Sequence, residues 1–364
     1  VGYAMVVEDC INRATVTGDS KVGGVAGDIP YNGGSVPGMR RCANYGDIAA
    51  TTTGDRPITG GVVAQPGEND LVDCYNRGAI SFKNSAGATH VGGIAAQGPG
   101  KVTNCYNAGK QTGGQSLCGW YGFSATTVSN SYYDSTLVTG TTNQGKALTP
   151  VQFQSWAAAY GLNGNKFGNT GMTWTLDTAN ANGGYPVFGD SLRAAADWGE
   201  VGPGVDAGLI AGKPTQNGTD EANAFELGSE EALAWFAYKS NTDAANFYNK
   251  FAKITKDGLD LTGTTYGGTA AAKLQWTPIS EYNVDGKYGH GKSSGNYEGT
   301  FDGGGFVISN LYQQKTGVPQ DEGFGLFAGT AANARRIIHD NKAENHTGSE
   351  KRGSKPLENG YRRA

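Results

Sequence analysis

A five-residue signature recurs along the first third of the chain at a nearly constant interval. Cys10-Ile11-Asn12-Arg13-Ala14, Cys42-Ala43-Asn44-Tyr45-Gly46, Cys74-Tyr75-Asn76-Arg77-Gly78 and Cys105-Tyr106-Asn107-Ala108-Gly109 follow one another at 32, 32 and 31 residues. Ser131-Tyr132-Tyr133-Asp134 is a degenerate fifth copy. A second motif falls between them: Val22-Gly23-Gly24-Val25, Thr59-Gly60-Gly61-Val62 and Val91-Gly92-Gly93-Ile94. Val1-Gly2-Tyr3-Ala4 and Cys118-Gly119-Trp120 read as worn copies of it. A period of roughly 30 residues carrying two alternating motifs is the mark of a stacked-repeat architecture. Paired glycines and turn residues sit where helical repeats need long periodic runs, and leucine is too scarce for leucine-rich repeats. The remaining architecture is a β-solenoid, with one coil of short strands per repeat and parallel pairing between coils about 4.8 Å apart. Its expected hand is right, as for other parallel crossovers.

The residue types fit that geometry. Cysteine acts as a small hydrophobe, so Cys10, Cys42, Cys74 and Cys105 are expected to stack inward as a ladder of free thiols. In-register stacking holds their Cβ vectors parallel, which disfavours disulfides, and one wall of thiols does not make a tetrahedral metal cage. Asn12, Asn44, Asn76 and Asn107 share that side of their strands and can bond to their own copies in the next coil. The glycine two residues on suits a left-handed turn, and the Gly-Gly pair a tight corner or close backbone approach. Tyr75 and Tyr106 are expected to face outward and, with Tyr45 nearby, to form a flat aromatic strip able to hold a sugar ring or a protein partner.

Composition narrows the function class. A net charge of -4 over 364 residues gives no basic face for nucleic acid. No apolar stretch reaches the roughly 18 residues of a membrane span, so no membrane insertion is expected. Glycine numbers 59 without a Gly-X-Y period, which excludes collagen. The five cysteines are an odd count and do not read as a disulfide framework.

The pairing of V-G-G-[IV] with N-C-Y-N-x-G resembles the GLUG repeats of bacterial surface proteins, which also occur beside IgA1-cleaving zinc peptidase domains. The resemblance covers about residues 1–140 and extends to Gly183-Gly184-Tyr185-Pro186-Val187-Phe188. A second set resembles the N-terminal cap and first coils of such β-helices: Gly258-Leu259-Asp260-Leu261-Thr262, Gln275-Trp276-Thr277-Pro278-Ile279 and the run from Tyr297 to Leu311. The resemblance implies an all-β, right-handed parallel β-helix with short helical caps, followed by a second partial β-helix domain. The expected divisions are coils over 1–147 and a C-terminal cap over 148–190, with a helix from Thr149-Pro150 to about Tyr160 covering the open end of the stack. A Gly/Ala/Asp-rich linker over 191–224, the second β-helix over 225–338 and a polar tail over 339–364 complete the division. The exposed coil ends are expected to stack with each other, within or between chains.

No zinc-peptidase motif is present, and His90, His290, His339 and His346 are isolated, so the peptidase activity does not carry over. No cofactor, metal or catalytic constellation is expected. The acids weighed for a polysaccharide-cleaving pair are Asp9, Asp47, Asp73 and Asp302; a solvated face is the simpler role for the first three and a turn for Asp302. The expectation is a non-catalytic adhesin or host-interaction module on a bacterial cell surface, binding a host protein, such as an immunoglobulin, or a glycan. The alternatives are a structural stalk and a carbohydrate-active β-helix enzyme.

Overall fold

A computed structural model describes residues 6–34, 36–53, 57–83, 90–119, 127–141, 144–168, 171, 173–280, 297–314, 325–328, 333–335 and 338–340. These residues are mostly short strands in parallel sheets, with few helices. Each repeat contributes one strand to each of several sheets. Val7–Glu8, Met39–Arg40, Leu71–Val72, Lys101–Thr103 and Thr127–Ser129 line up in one sheet. Ile11–Asn12, Ala43–Asn44, Tyr75–Asn76, Tyr106–Asn107, Tyr132–Asp134 and Lys146–Leu148 form the next. Val16–Gly18, Ile48–Ala50, Ile80–Phe82 and Gln111–Gln115 run into a third, which the Gly-Gly strands Val22–Gly23, Thr59–Gly60 and Val91–Gly92 share. The register follows the sequence motif: Ile11 faces Ala43, Ala43 faces Tyr75 and Tyr75 faces Tyr106.

Both expected ladders form. Cys42, Cys74 and Cys105 are fully buried in one core with Met39, Leu71, Val102 and Ile94, while Cys10 at the end of the stack is exposed. The asparagine amides bond in series. Asn12 Nδ2 donates to Asn44 Oδ1 (2.8 Å), Asn44 Nδ2 to Asn76 Oδ1 (2.8 Å) and Asn76 Nδ2 to Asn107 Oδ1 (3.0 Å). Each amide also donates within its own repeat, as Asn44 does to the Gly46 carbonyl (2.7 Å). Buried polar groups are therefore satisfied by copies of themselves.

The left-handed turn lies elsewhere than expected. It is the residue before each ladder position, Asp9, Arg41, Asp73, Asn104 and Asn130, that has positive φ, between 45° and 56°. Gly46, Gly78 and Gly109 are needed for a different reason: a Cβ on Gly78 would lie 1.9 Å from the Gly46 carbonyl oxygen. The Gly-Gly pairs also serve close approach, since a Cβ on Gly60 would lie 1.9 Å from the Val63 oxygen.

After the last strand of the second sheet, Thr149 caps helix α1 (Pro150–Phe153), with Gln152 completing a reciprocal capping box. Helix α2 (Trp156–Leu162) follows, and then the antiparallel pair Trp174–Thr175 and Val187–Phe188. This cap was expected over the open end of the stack. It instead folds back along the sheet's flank, where Phe153, Trp174 and Phe188 pack on the rings of Tyr75 and Tyr106.

The segment 191–224 is not an open linker. Asp197 caps helix α3 (Trp198–Asp206), whose Trp198, Val201 and Val205 are buried. The glycines that gave this segment its linker-like composition permit close packing. A Cβ on Gly202 would lie 2.8 Å from the Ala234 oxygen of helix α4 (Glu230–Thr242), and one on Gly204 would lie 2.5 Å from the Ala157 Cβ. Helix α5 (Ala244–Phe247) follows α4. Beyond lie two more parallel sheets. Phe225–Leu227, Phe251–Ile254, Thr300–Asp302 and Asn333–Arg335 form one; Leu259–Asp260, Val307–Ser309 and Ile338–Asp340 form the other. One aromatic-rich core runs from Tyr75 and Tyr106 through the cap and α3 to Phe301 and Leu326. Of the expected polar tail, His339 and Asp340 belong to the last strand, and residues 341–364 lie outside the described residues, as do Val1-Gly2-Tyr3-Ala4, His290 and His346.

Candidate ligand-binding face

The aromatic strip expected from the sequence is stacked but not exposed. Tyr75 and Tyr106 lie nearly parallel, at 10°, with ring centroids 4.9 Å apart. Their exposures are 2% and 0%, because the cap covers them. The Tyr106 hydroxyl donates to the Pro186 carbonyl (2.8 Å) and accepts from Asn182 Nδ2 (2.7 Å). Burial pushes both phenols upward in pKa, and for Tyr75 the adjacent Tyr45 hydroxyl adds to the shift. These two rings are core, and the correction follows from the cap's place on the sheet's flank.

Tyr45 is different. It is partly exposed at the rim of that core, with its ring edge-on to Tyr75 at 5.6 Å and the two hydroxyls 2.5 Å apart. It sits in the column that directly follows the ladder asparagines, occupied by Arg13, Tyr45 and Arg77 in successive repeats. Backbone hydrogen bonds fix the spacing: Tyr45 N donates to Asn12 O (2.8 Å) and Arg77 N to Asn44 O (2.7 Å). The Arg13 guanidinium lies over the Tyr45 ring, with Cζ 4.4 Å from the centroid. That of Arg77 lies over Tyr185 at 3.9 Å. The Tyr185 hydroxyl is held in turn by the buried carboxylate of Asp134 (2.5 Å), whose other oxygen accepts from the Thr136 N–H and hydroxyl. Burial and the Asp134 carboxylate push the Tyr185 phenol up to about 12, so it stays a donor at neutral pH.

Stacking occupies the face of a guanidinium and leaves its in-plane N–H groups free. Among the described residues, Arg13 and Arg77 are in no ion pair. Arg77 gives one long hydrogen bond, from Nη1 to the Ala108 carbonyl (3.4 Å). Beside Arg77 lies a cleft of about 330 Å³, walled by Gln154, Leu176, Asp177, Thr178, Asn180, Gly183 and Gly184. Asp177 shapes its loop by accepting the backbone N–H groups of Ala181 (2.8 Å), Asn182 (2.6 Å) and Gly184 (2.9 Å). Gly183 and Gly184 both have positive φ, and a Cβ on Gly183 would lie 3.3 Å from Arg77 Nη2. The arginine column and the cleft are thus contiguous.

The acids weighed as a catalytic pair are not adjacent. Arg41 stands between Asp9 and Asp73 in their column and grips Asp9 with two hydrogen bonds (2.5 and 2.6 Å), which hold the Asp9 carboxyl below the usual range. Asp73 does not face solvent as expected: it is 7% exposed and accepts from Asn104 Nδ2, Thr173 Oγ1 and Trp174 Nε1, each at 3.1 Å. Asp47 accepts the Ala79 N–H (2.9 Å), and Asp302 closes a turn on the Gly304 N–H (2.8 Å).

Sequence reasoning singled out Tyr45 but missed Arg13 and Arg77. The signal was present, as an Arg-Tyr-Arg alternation at one repeat position, but it is only visible once that position is known to face outward. No protein-family model, curated protein or solved structure matches this chain.

Proposed function

We propose that this chain is a non-catalytic binding module of a bacterial cell-surface protein, built from GLUG-type coils as a right-handed parallel β-helix and continued by the first coils of a second. The single parallel register at the motif's own period supports the coil reading. The hand follows the general rule for parallel crossovers. The extracellular setting and a host protein or glycan as partner rest on the resemblance of the repeats.

The observation that carries the binding role is the Arg13-Tyr45-Arg77 column: two guanidiniums held over aromatic rings and in no ion pair among the described residues, beside a cleft. Guanidiniums already held in place suit a binding face, because little side-chain entropy is left to lose on contact. The stalk reading draws on the shared aromatic core, which ties the two strand regions together. A screen against immunoglobulins, mucins and a glycan array, run beside an Arg13→Ala/Tyr45→Ala variant, separates the two. Saturable binding that the variant loses supports the module, and no binding to any member of the screen leaves the stalk. Tyr75 and Tyr106 are unsuitable probes, since their loss would open the core.

A further inference from the structure

We propose that the ligand of this face is an acidic polysaccharide, bound along the stack with its carboxylate or sulfate groups on Arg13 and Arg77; this rests on the binding role argued above. Three observations point to that chemistry.

The first is the donor set. A stacked guanidinium offers a planar fork of N–H groups, which matches the two oxygens of a carboxylate or sulfate better than it matches a neutral hydroxyl. Both arginines are pre-set in this way, Arg13 on Tyr45 and Arg77 on Tyr185, and neither is neutralised by a carboxylate among the described residues. Elsewhere on the same stack the outward arginines are paired, Arg40 with Glu8 and Arg41 with Asp9. Among the described arginines of the stack, the two in no ion pair therefore share one column.

The second is periodicity. Arg13 and Arg77 are separated by one intervening repeat, so their backbones stand about 10 Å apart along the stacking direction. Two cations one such interval apart along the stack fit a linear polymer whose anions recur at a similar interval, as when every second sugar is acidic. Tyr45, partly exposed, lies in the column between the two charges.

The third is the cleft that continues from Arg77. Its walls carry the Gln154 and Asn180 amides, the Thr178 hydroxyl and the open Gly183-Gly184 floor. The Asp177 carboxylate is turned to the loop's own N–H groups through both oxygens. Such a wall meets the hydroxyls of a sugar ring with donors and acceptors, and Leu176 offers an apolar surface to the ring's C–H face.

The test is equilibrium binding of the intact chain to polygalacturonate and to heparin, with dextran as the neutral control and poly-glutamate as the acidic peptide control. The expected result is saturable binding to at least one acidic polysaccharide, weakening with added salt. Arg13→Ala and Arg77→Ala should each weaken it about tenfold or more, as loss of a two-bond charged contact implies. Arg13→Lys, which keeps the charge but loses the planar fork, should recover only part of it. Circular dichroism of each variant separates lost binding from lost folding, and exposed Arg13 is the safer of the two sites. Dextran binding as tight as polygalacturonate binding would overturn the acidic assignment while leaving the face a glycan site. Equal or tighter binding of poly-glutamate would overturn the polysaccharide in favour of an acidic protein. A ligand of another class, captured in the broader screen and lost with Arg13→Ala, would overturn this inference alone; no ligand in either experiment would overturn both readings.

Discussion

At the scale of single residues, the buried amide column determines how much each repeat tolerates. Asn76 accepts from Asn44 and donates both to Asn107 and to the Gly78 carbonyl, all out of reach of water. Asn76→Ala strands two acceptors and two donors, the second being the Gly78 N–H, so the expected loss is about 3 kcal/mol or more, read as a shift of the urea midpoint. A loss under about 1 kcal/mol would show that water or a shifted neighbour replaces the amide. The thiols divide by position. Cys10 is exposed, whereas Cys42, Cys74, Cys105 and Cys118 are buried. Alkylation of the native protein followed by mass spectrometry should find one adduct, on Cys10, and five only after unfolding. Partial burial and the neighbouring Cys42 raise the Cys10 thiol pKa, so labelling should quicken as pH rises above neutrality. Two or more native adducts would contradict the sealed core. Both ladders were legible in the sequence because each is a single residue type repeating in one register. The arginine column was not, because its residue type alternates.

At the scale of elements, periodicity located a face and could not say what covers it. The column of Tyr75 and Tyr106 was legible, and so was the helix after Thr149, through its capping box and Pro150. That the two meet depends on contacts far apart in sequence: Trp174 Nε1 reaches Asp73 Oδ1 across 101 positions. Trp174 is fully buried against Tyr75, Tyr106 and Phe188. Trp174→Ala should cost about 3–5 kcal/mol and weaken the near-ultraviolet circular dichroism of the tyrosines. An unchanged midpoint would mean the cap does not hold the sheet's flank. The same contact sets a pH dependence. Burial outweighs the three donors on Asp73 and raises its pKa above the ordinary 3.8. The folded state then binds the proton more tightly than the unfolded chain, so the stability Asp73 contributes is fully present below pH 3.8 and is lost as pH rises through the raised folded value. Asp73→Asn removes that loss, and the variant should gain on the parent as pH rises from 3.5 towards neutrality (denaturation at a series of pH values). A variant that falls further behind over that range would show that the three donors keep the carboxylate ionised instead.

At the scale of the whole molecule, segment 191–224 decides whether the chain behaves as one unit or two. Its Gly, Pro and Asp content reads as a spacer, and a spacer would let the two strand regions unfold independently. Instead Trp198 is 2% exposed, its Nε1 donates to the Leu261 carbonyl (3.0 Å), and its backbone N–H donates to Gln275 (2.9 Å). Helix α3 therefore touches α2 on one side and α4 on the other, and the core is continuous through it. Cooperativity follows from that continuity, because neither strand region can open without exposing apolar surface that belongs to the other. Calorimetry should show one transition for the intact chain. Trp198→Ala removes the hub, so the expected outcome is a lower melting temperature together with a split into two transitions. Two transitions already present in the unaltered chain would mean that α3 rests against its neighbours without coupling them. A single transition that merely shifts in the variant would place the coupling in the remaining contacts of α3 and α4, where a bulkier residue at Gly202, only 2.8 Å from the Ala234 oxygen at its Cβ position, is the next lever to pull.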